Sequence, residues 1–184
     1  AAFKSVNESV LNPLKYFDNN ISGLVNIIQV CESHSIDLVF SSSCTVYGSS
    51  IDMPLKECAS TINQQSPYGA TKAIGETLIY QGLASKKFRA TSLRYFNPVG
   101  AHDSGLIGET QTSKSENLLP IIVDTALGNR ANLEIFGDNY PTADGSCIRD
   151  FVHVCDVADA HVAALKHITF QEKGYYEVFN IGVG

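Results

Sequence analysis

Tyr68 and Lys72 stand four residues apart in the run Ser66-Pro67-Tyr68-Gly69-Ala70-Thr71-Lys72. That spacing places two side chains on one face of a helix. A phenol, with a reference pKa of about 10, is a poor base near neutrality. A neighbouring ammonium favours the phenolate and draws that value toward the working range. The pair therefore suits removal of a proton from a substrate hydroxyl. Taken alone, the spacing is better read as a half-buried ring beside a solvated charge.

A second group of residues changes that balance. Asp37-Leu38-Val39-Phe40 reads as a buried strand and runs into Ser41-Ser42-Ser43-Cys44-Thr45-Val46-Tyr47-Gly48. An apolar run ending in small hydroxyl residues fits the carboxyl end of a parallel strand, where open α/β sheets place their sites. A hydroxyl there can hold a substrate oxygen while Tyr68 takes or returns its proton. A Ser-rich turn would explain the polarity, but not the Tyr-x-x-x-Lys pair about twenty residues later. Cys44, inside this segment, reads as a small packing residue rather than a reactive thiol.

These groups need elements to hold them. Ser66 suits an N-cap and Pro67 a first helical position. Ala70, Ile74 and Leu78, with Ala73 and Leu83, continue the helical pattern from Tyr68. Upstream, residues 5–34 read as mostly helical, with a short helix from Asn7 and a restart at Pro13. Leu14, Phe17, Ile21, Leu24, Val25 and Ile28 form its expected apolar stripe. A strand is expected over Ala90 to Tyr95. Helix and strand in alternation imply crossover connections and a parallel sheet. Loops are expected from Ser49 to Gln65, Asn97 to Glu116 and Tyr140 to Ser146. A helix is expected from Asn117 to Leu127, ending at Gly128. Leu133 to Gly137 and Ile148 to Val154 read as strands. Asp156 is the expected cap of a helix carrying Val157, Ala160, Val162, Ala163 and Leu165, and a strand follows over Tyr175 to Ile181.

The 184 residues suffice for a sizeable core. A formal charge of −6 argues against nucleic acid or an anionic membrane as the main partner. No apolar run approaches the roughly 20 residues of a membrane span. Cys31, Cys44, Cys58, Cys147 and Cys155 are scattered, with no Cys-x-x-Cys, as expected of buried thiols in a reducing, cytoplasmic setting. The histidines, His102, His153, His161 and His167 among them, show no metal spacing, and no metal is expected. His161 and His167 read as surface or satisfied side chains.

Three motifs together carry a resemblance. The segments Ser41 to Gly48, Ser66 to Lys72, and Arg94-Tyr95-Phe96-Asn97-Pro98-Val99-Gly100-Ala101 resemble the extended short-chain dehydrogenase/reductase family, in its UDP-hexose 4-epimerase branch. The likeness continues through Lys4 to Asn20 and Glu116 to Asp156. It implies an α/β fold, part of an NAD(P)-binding Rossmann-like doubly wound parallel sheet with part of a smaller substrate-binding region. Residues 1–100 would be the later part of the cofactor domain, 101–150 the substrate-binding loops and helix, and 151–184 a return to the sheet. The implied reaction is NAD-dependent interconversion of UDP-glucose and UDP-galactose.

The resemblance also implies roles. Tyr68 would be the base, Lys72 would lower its pKa and bond the nicotinamide ribose, and Ser43 would orient the sugar 4-oxygen. Lys4, Asn19, Ser41, Ser42 and Tyr95 would face NAD. Cys44 and Thr45, Tyr95, Phe96, Asn97, Asn117, Leu118, Glu134, Phe136 and Arg149 would face the UDP-sugar. Arg149 can fork onto phosphate, and Phe136 offers an apolar wall. Glu134 replaces the small residue usual there. The helix around residue 25 and the Tyr68 helix would pair with a second subunit in a homodimer. A dinucleotide-binding fold also needs a Gly-rich turn after its first strand, which these residues lack. The chain therefore reads as the central piece of a longer enzyme, inactive by itself. Two alternatives stand beside this. A nucleotide-sugar 4,6-dehydratase or decarboxylase would carry an acidic residue where Thr45 stands. A non-catalytic nucleotide-binding module would not need Ser43, Tyr68 and Lys72 together.

Overall fold

The computed structural model describes residues 2–49, 53–109 and 117–184. The expected loop segments at 50–52 and 110–116 lie outside them. Six α-helices and five strands occur among the described residues: α1 (Val6–Leu11), α2 (Pro13–Phe17), α3 (Gly23–His34), β1 (Leu38–Ser43), α4 (Pro67–Gly82), β2 (Ala90–Tyr95), β3 (Asn97–Val99), α5 (Leu118–Ala126), β4 (Phe151–His153), α6 (Val154–Thr169) and β5 (Tyr176–Ile181).

The sheet is parallel, in the order β1-β2-β5. Ser41, Ser42 and Ser43 lie opposite Leu93, Arg94 and Tyr95, so the hydroxyl end of β1 meets the Arg94-Tyr95 end of β2. A second parallel pair, β3 and β4, continues past that end. Adjacent residues of β2 show that both faces are covered: Arg94 bonds to Glu76 of α4, and Tyr95 to His161 of α6. A strand buried on both faces needs no polar alternation, and the first five residues of β2 are buried. The apolar centre joins Leu24, Ile28 and Cys31 of α3, Ile79 of α4, and Leu83, Phe88 and Ala90. The expected parallel α/β architecture is what the chain adopts.

Several local expectations need correction. The stripe from Leu14 to Ile28 is interrupted, and Leu14 is 80% exposed while Tyr16 is fully buried. A π-helical turn over Asp18–Ser22 separates α2 from α3. Its wider turn shifts the phase of the helix, so a single 3.6-residue stripe cannot span both halves. Residues 133–137 form no strand, and Ile135 and Phe136 are exposed. Alternating apolar residues fix a strand only when a neighbouring strand or core accepts them. His153, not Asp156, caps α6, its ring nitrogen accepting from Cys155 N–H. The buried face of α6 is Val157, Ala164 and Ile168, whereas Val162 and Leu165 are exposed. Residues 97–99, expected as loop, pair with β4.

Candidate active site

The N-terminus of α4 is held from two sides. Ser66 Oγ accepts the Gly69 N–H at 3.1 Å, as a helix cap should. Ser9 of α1 accepts the Tyr68 N–H at 3.1 Å. Pro67 carries no N–H, and two of the N–H groups that this helix start leaves without partners are thus satisfied. Gly69 lets this end approach β1: a Cβ there would lie 2.9 Å from the Thr45 carbonyl oxygen.

Tyr68, Lys72 and Ser43 come together at the carboxyl end of β1. Lys72 is 7% exposed. Its Nζ donates to the Ser41 carbonyl at 2.8 Å and lies 5.6 Å from the Tyr68 ring centre. Ser43, also buried, stands by the Tyr68 side chain, where its hydroxyl favours the phenolate. Its Oγ further accepts from Thr45 N–H at 3.2 Å and Thr45 Oγ1 at 3.0 Å. Tyr95 joins from β2, its hydroxyl 2.9 Å from Ser41 Oγ and 2.6 Å from His161 Nε2.

The electrostatics differ from expectation. Burial raises the Tyr68 phenol above its ordinary value, the Ser43 hydroxyl offsets part of the rise, and Cys44 and Tyr95 add to it. Lys72 does not lower it; burial instead brings the Lys72 ammonium down to about 8. Both groups leave water, and losing solvation costs each charged form more than the other supplies across the ring.

The other expected residues fall into two sets. Cys44, Thr45, Phe96, Asn97 and Arg149 border the carboxyl ends of the strands. Asn97 N–H donates to the Asp150 carbonyl, Phe96 N–H to the Ile181 carbonyl, and the Arg149 charge reaches the Cys44 thiol, which burial pushes up. Arg149 also lines an open cavity of about 330 Å³ with Ile148, Asp150, Phe151, Val183 and Gly184. Asn117, Leu118, Glu134 and Phe136 are exposed on and beyond α5, and among the described residues nothing bonds them to Ser43, Tyr68 or Lys72. Lys4 is exposed and pairs with Glu109 at 3.3 Å. Asn19 lies in the π-helical turn and donates to Asn20 at 2.9 Å. Ser42 is buried, its hydroxyl donating to Glu76.

Sequence reasoning passed over Ser9, Asn20, Glu76 and the contact of His161 with Tyr95. Asn20 spans Phe3 N–H and carbonyl and reaches Thr71, tying the Lys4 segment to α4. Glu76 was legible in principle, lying one further helical turn along the Tyr68-Lys72 stripe. Ser9 and Asn20 give no signal, because their partners are 59 and 17 residues away. Among the described residues no group of three or more His, Cys, Asp or Glu could hold a metal.

A parallel sheet with a Tyr-Lys-Ser group at its carboxyl edge defines a class: an α/β fold of the nucleotide-cofactor kind. The chain belongs to the NAD dependent epimerase/dehydratase family, whose profile matches residues 1–182. It is 44% identical, over its whole length, to the UDP-glucose 4-epimerase of Yersinia pestis, of which it covers 54%. It is 47% identical to that of Schizosaccharomyces pombe over 91% of this chain and 49% of the relative. Among solved structures it superposes with TM-score 0.94 on a Stenotrophomonas maltophila UDP-glucose-4-epimerase with bound NAD and formylated UDP-arabinopyranose. That relative is 45% identical, with 100% of this chain and 55% of the other covered. The Bifidobacterium longum UDP-glucose 4-epimerase in complex with NAD+ and UDP gives TM-score 0.90 at 38% identity, over 99% and 54%. The chain thus spans about half the length of the relatives it matches.

Proposed function

We propose that the protein containing this chain interconverts UDP-glucose and UDP-galactose by NAD-dependent epimerisation at C4. The observation that carries this is the convergence of Tyr68, Ser43 and Lys72 at the carboxyl end of β1. The residues suit the nicotinamide half of NAD. Lys72 uses one of its three N–H groups on Ser41, leaving donors for a ribose diol. Ser41 and Tyr95 add hydroxyls on the same edge. Bound NAD+ would supply the two-electron redox chemistry and a positive charge that opposes the burial cost of a phenolate. Lys4 and Asn19 are proposed as further cofactor contacts, with Ser42 acting through its backbone, since its hydroxyl is turned to Glu76.

Tyr68 takes the proton of the sugar 4-hydroxyl and returns it to the epimer. Ser43 holds the same oxygen and relays its proton to Tyr68. Thr45 fixes the Ser43 rotamer. Arg149 meets the diphosphate, and Cys44, Phe96, Asn97, Asn117, Leu118, Glu134 and Phe136 line the path to the uridine. Apolar residues left exposed on α3 and α4, including Ile27, Val30 and Ile74, suit the helix face of a homodimer. The five free thiols suit a cytoplasmic role in galactose metabolism. The test is turnover of UDP-galactose by the whole protein, read through coupled oxidation of the UDP-glucose formed. Absence of turnover in protein shown to carry NAD would reject the proposal.

A further inference from the structure

Three successive residues at the end of β1 are each engaged by a different turn of α4. Ser43 faces Tyr68, the Ser41 carbonyl accepts from Lys72 Nζ, and Ser42 Oγ donates to Glu76. Tyr68, Lys72 and Glu76 are four residues apart and form one stripe. The first two are the proposed chemistry. Glu76 touches no reacting atom, yet it is 7% exposed and fully occupied: Oε1 accepts from Arg94 Nε at 2.9 Å, and Oε2 from Arg94 Nη2 at 2.6 Å.

Arg94 is 5% exposed and is fixed in turn. Its Nη1 donates to Tyr47 Oη at 2.8 Å and to the Glu57 carbonyl at 3.0 Å. Tyr47 Oη donates to Asn180 of β5, whose own N–H donates to Glu57 Oε1. The carboxylate that receives Ser42 is thereby anchored on the neighbouring strands. Gly75 permits the close contact this requires, since a Cβ there would lie 2.9 Å from the Phe40 ring and 3.0 Å from Leu24.

We propose that Glu76, held by Arg94, is a positioning residue. Through Ser42 it sets the axial register of α4 on β1, and so aligns the Tyr68 hydroxyl with Ser43. A buried ion pair contributes little net stability compared with an apolar pair of the same shape, so stability alone is a weak reason for one here. A register device at this place has direct leverage, because misplacement of a catalytic group by about 1 Å can cost on the order of 10²-fold in rate.

The inference rests on the proposed epimerase reading, and the experiment separates the two. Ser42→Ala in the whole protein removes the Ser42–Glu76 bond and leaves the ion pair. We expect kcat to fall at least ~10-fold, with KM for UDP-galactose and bound NAD changed less than about 3-fold. The tyrosinate signal lost in Tyr68→Phe should appear at higher pH in Ser42→Ala, because a displaced Ser43 hydroxyl no longer offsets burial. Glu76→Gln should lower kcat in the same way. Asp37→Asn is the control. It breaks a half-buried pair, Asp37 with Arg89 at 2.6 Å, at the far end of the same strands. It should lower the melting temperature and leave kcat unchanged. If Ser42→Ala and Glu76→Gln behave like Asp37→Asn, with kcat and the Tyr68 titration unmoved, the positioning role is wrong. If the unaltered protein has no epimerase turnover, the functional proposal fails, and the Tyr68 titration alone then decides the inference.

Discussion

At the scale of single residues, Tyr68 and Lys72 illustrate how burial competes with pairing. Tyr68→Phe keeps the ring and removes the hydroxyl proposed as the base. Turnover should fall about 10²- to 10⁴-fold, the range for a general acid-base group, with UDP binding by calorimetry preserved. Lys72 makes a prediction about stability. Its folded value is about 8 against an ordinary 10.5. Below pH 8 both folded and unfolded chains hold the proton, and the full cost of burying the ammonium is present. Between pH 8 and 10.5 the unfolded chain binds more proton, so stability rises with pH by on the order of 3 kcal/mol from this group. The cysteines and tyrosines that burial raises work in the opposite direction, so the effect is isolated by comparison with Lys72→Met. The difference in urea unfolding free energy between the two proteins should be flat below pH 8 and grow in favour of the unaltered protein above it. A flat difference through about pH 10 would mean that Lys72 is not desolvated.

At the scale of elements, identical glycine substitutions should have opposite signs. Gly23 begins α3 in ordinary helical geometry, and a Cβ there would meet nothing within 4 Å. Gly23→Ala should stabilise by about 0.5–1 kcal/mol through helix propensity and chain entropy. At Gly69 the Thr45 carbonyl oxygen would lie 2.9 Å from the added carbon. Gly69→Ala should destabilise by roughly 1–3 kcal/mol and lower turnover, since the displaced backbone follows Ser43. Denaturant titration of both variants checks the contrast. The sequence was most legible where elements are continuous and buried: α4, β1 and β2 follow from Ser66, Pro67 and runs such as Leu38 to Phe40. It was least legible where tertiary partners decide. Nothing near Asp18 announces a π-helical turn, and residues 133–137 alternate like a strand without finding one to join. The site shows the same division. The spacing of Tyr68 and Lys72 was visible, but the direction of the Tyr68 shift depends on solvent exclusion, which spacing does not encode.

At the scale of the whole molecule, the residues proposed to move the substrate proton can be tested apart from those that would grip a dinucleotide. The 184 residues contain no Gly-x-Gly-x-x-Gly turn, whose backbone and following helix start receive a pyrophosphate. A purified polypeptide of these residues alone should therefore hold NAD weakly and show no epimerase turnover, as fluorescence titration and the coupled assay would report. Tight NAD binding by that polypeptide would show that Lys72, Ser41 and Tyr95 suffice. The pairing of β2 with β5 has a different consequence, in time rather than in place. Ala90 lies beside Tyr176, so the two strands meet only after a long intervening chain has closed on itself. The β1-α4-β2 crossover, spanning 38–95, closes a shorter loop. Closure of longer loops costs more entropy and slows assembly. The Tyr68-Lys72-Ser43 group therefore belongs to the part of the protein that can assemble early, while Arg149 and the strand that completes the sheet arrive later. During synthesis, the Tyr68-Lys72-Ser43 end of the sheet would be shaped before the strand that completes it exists.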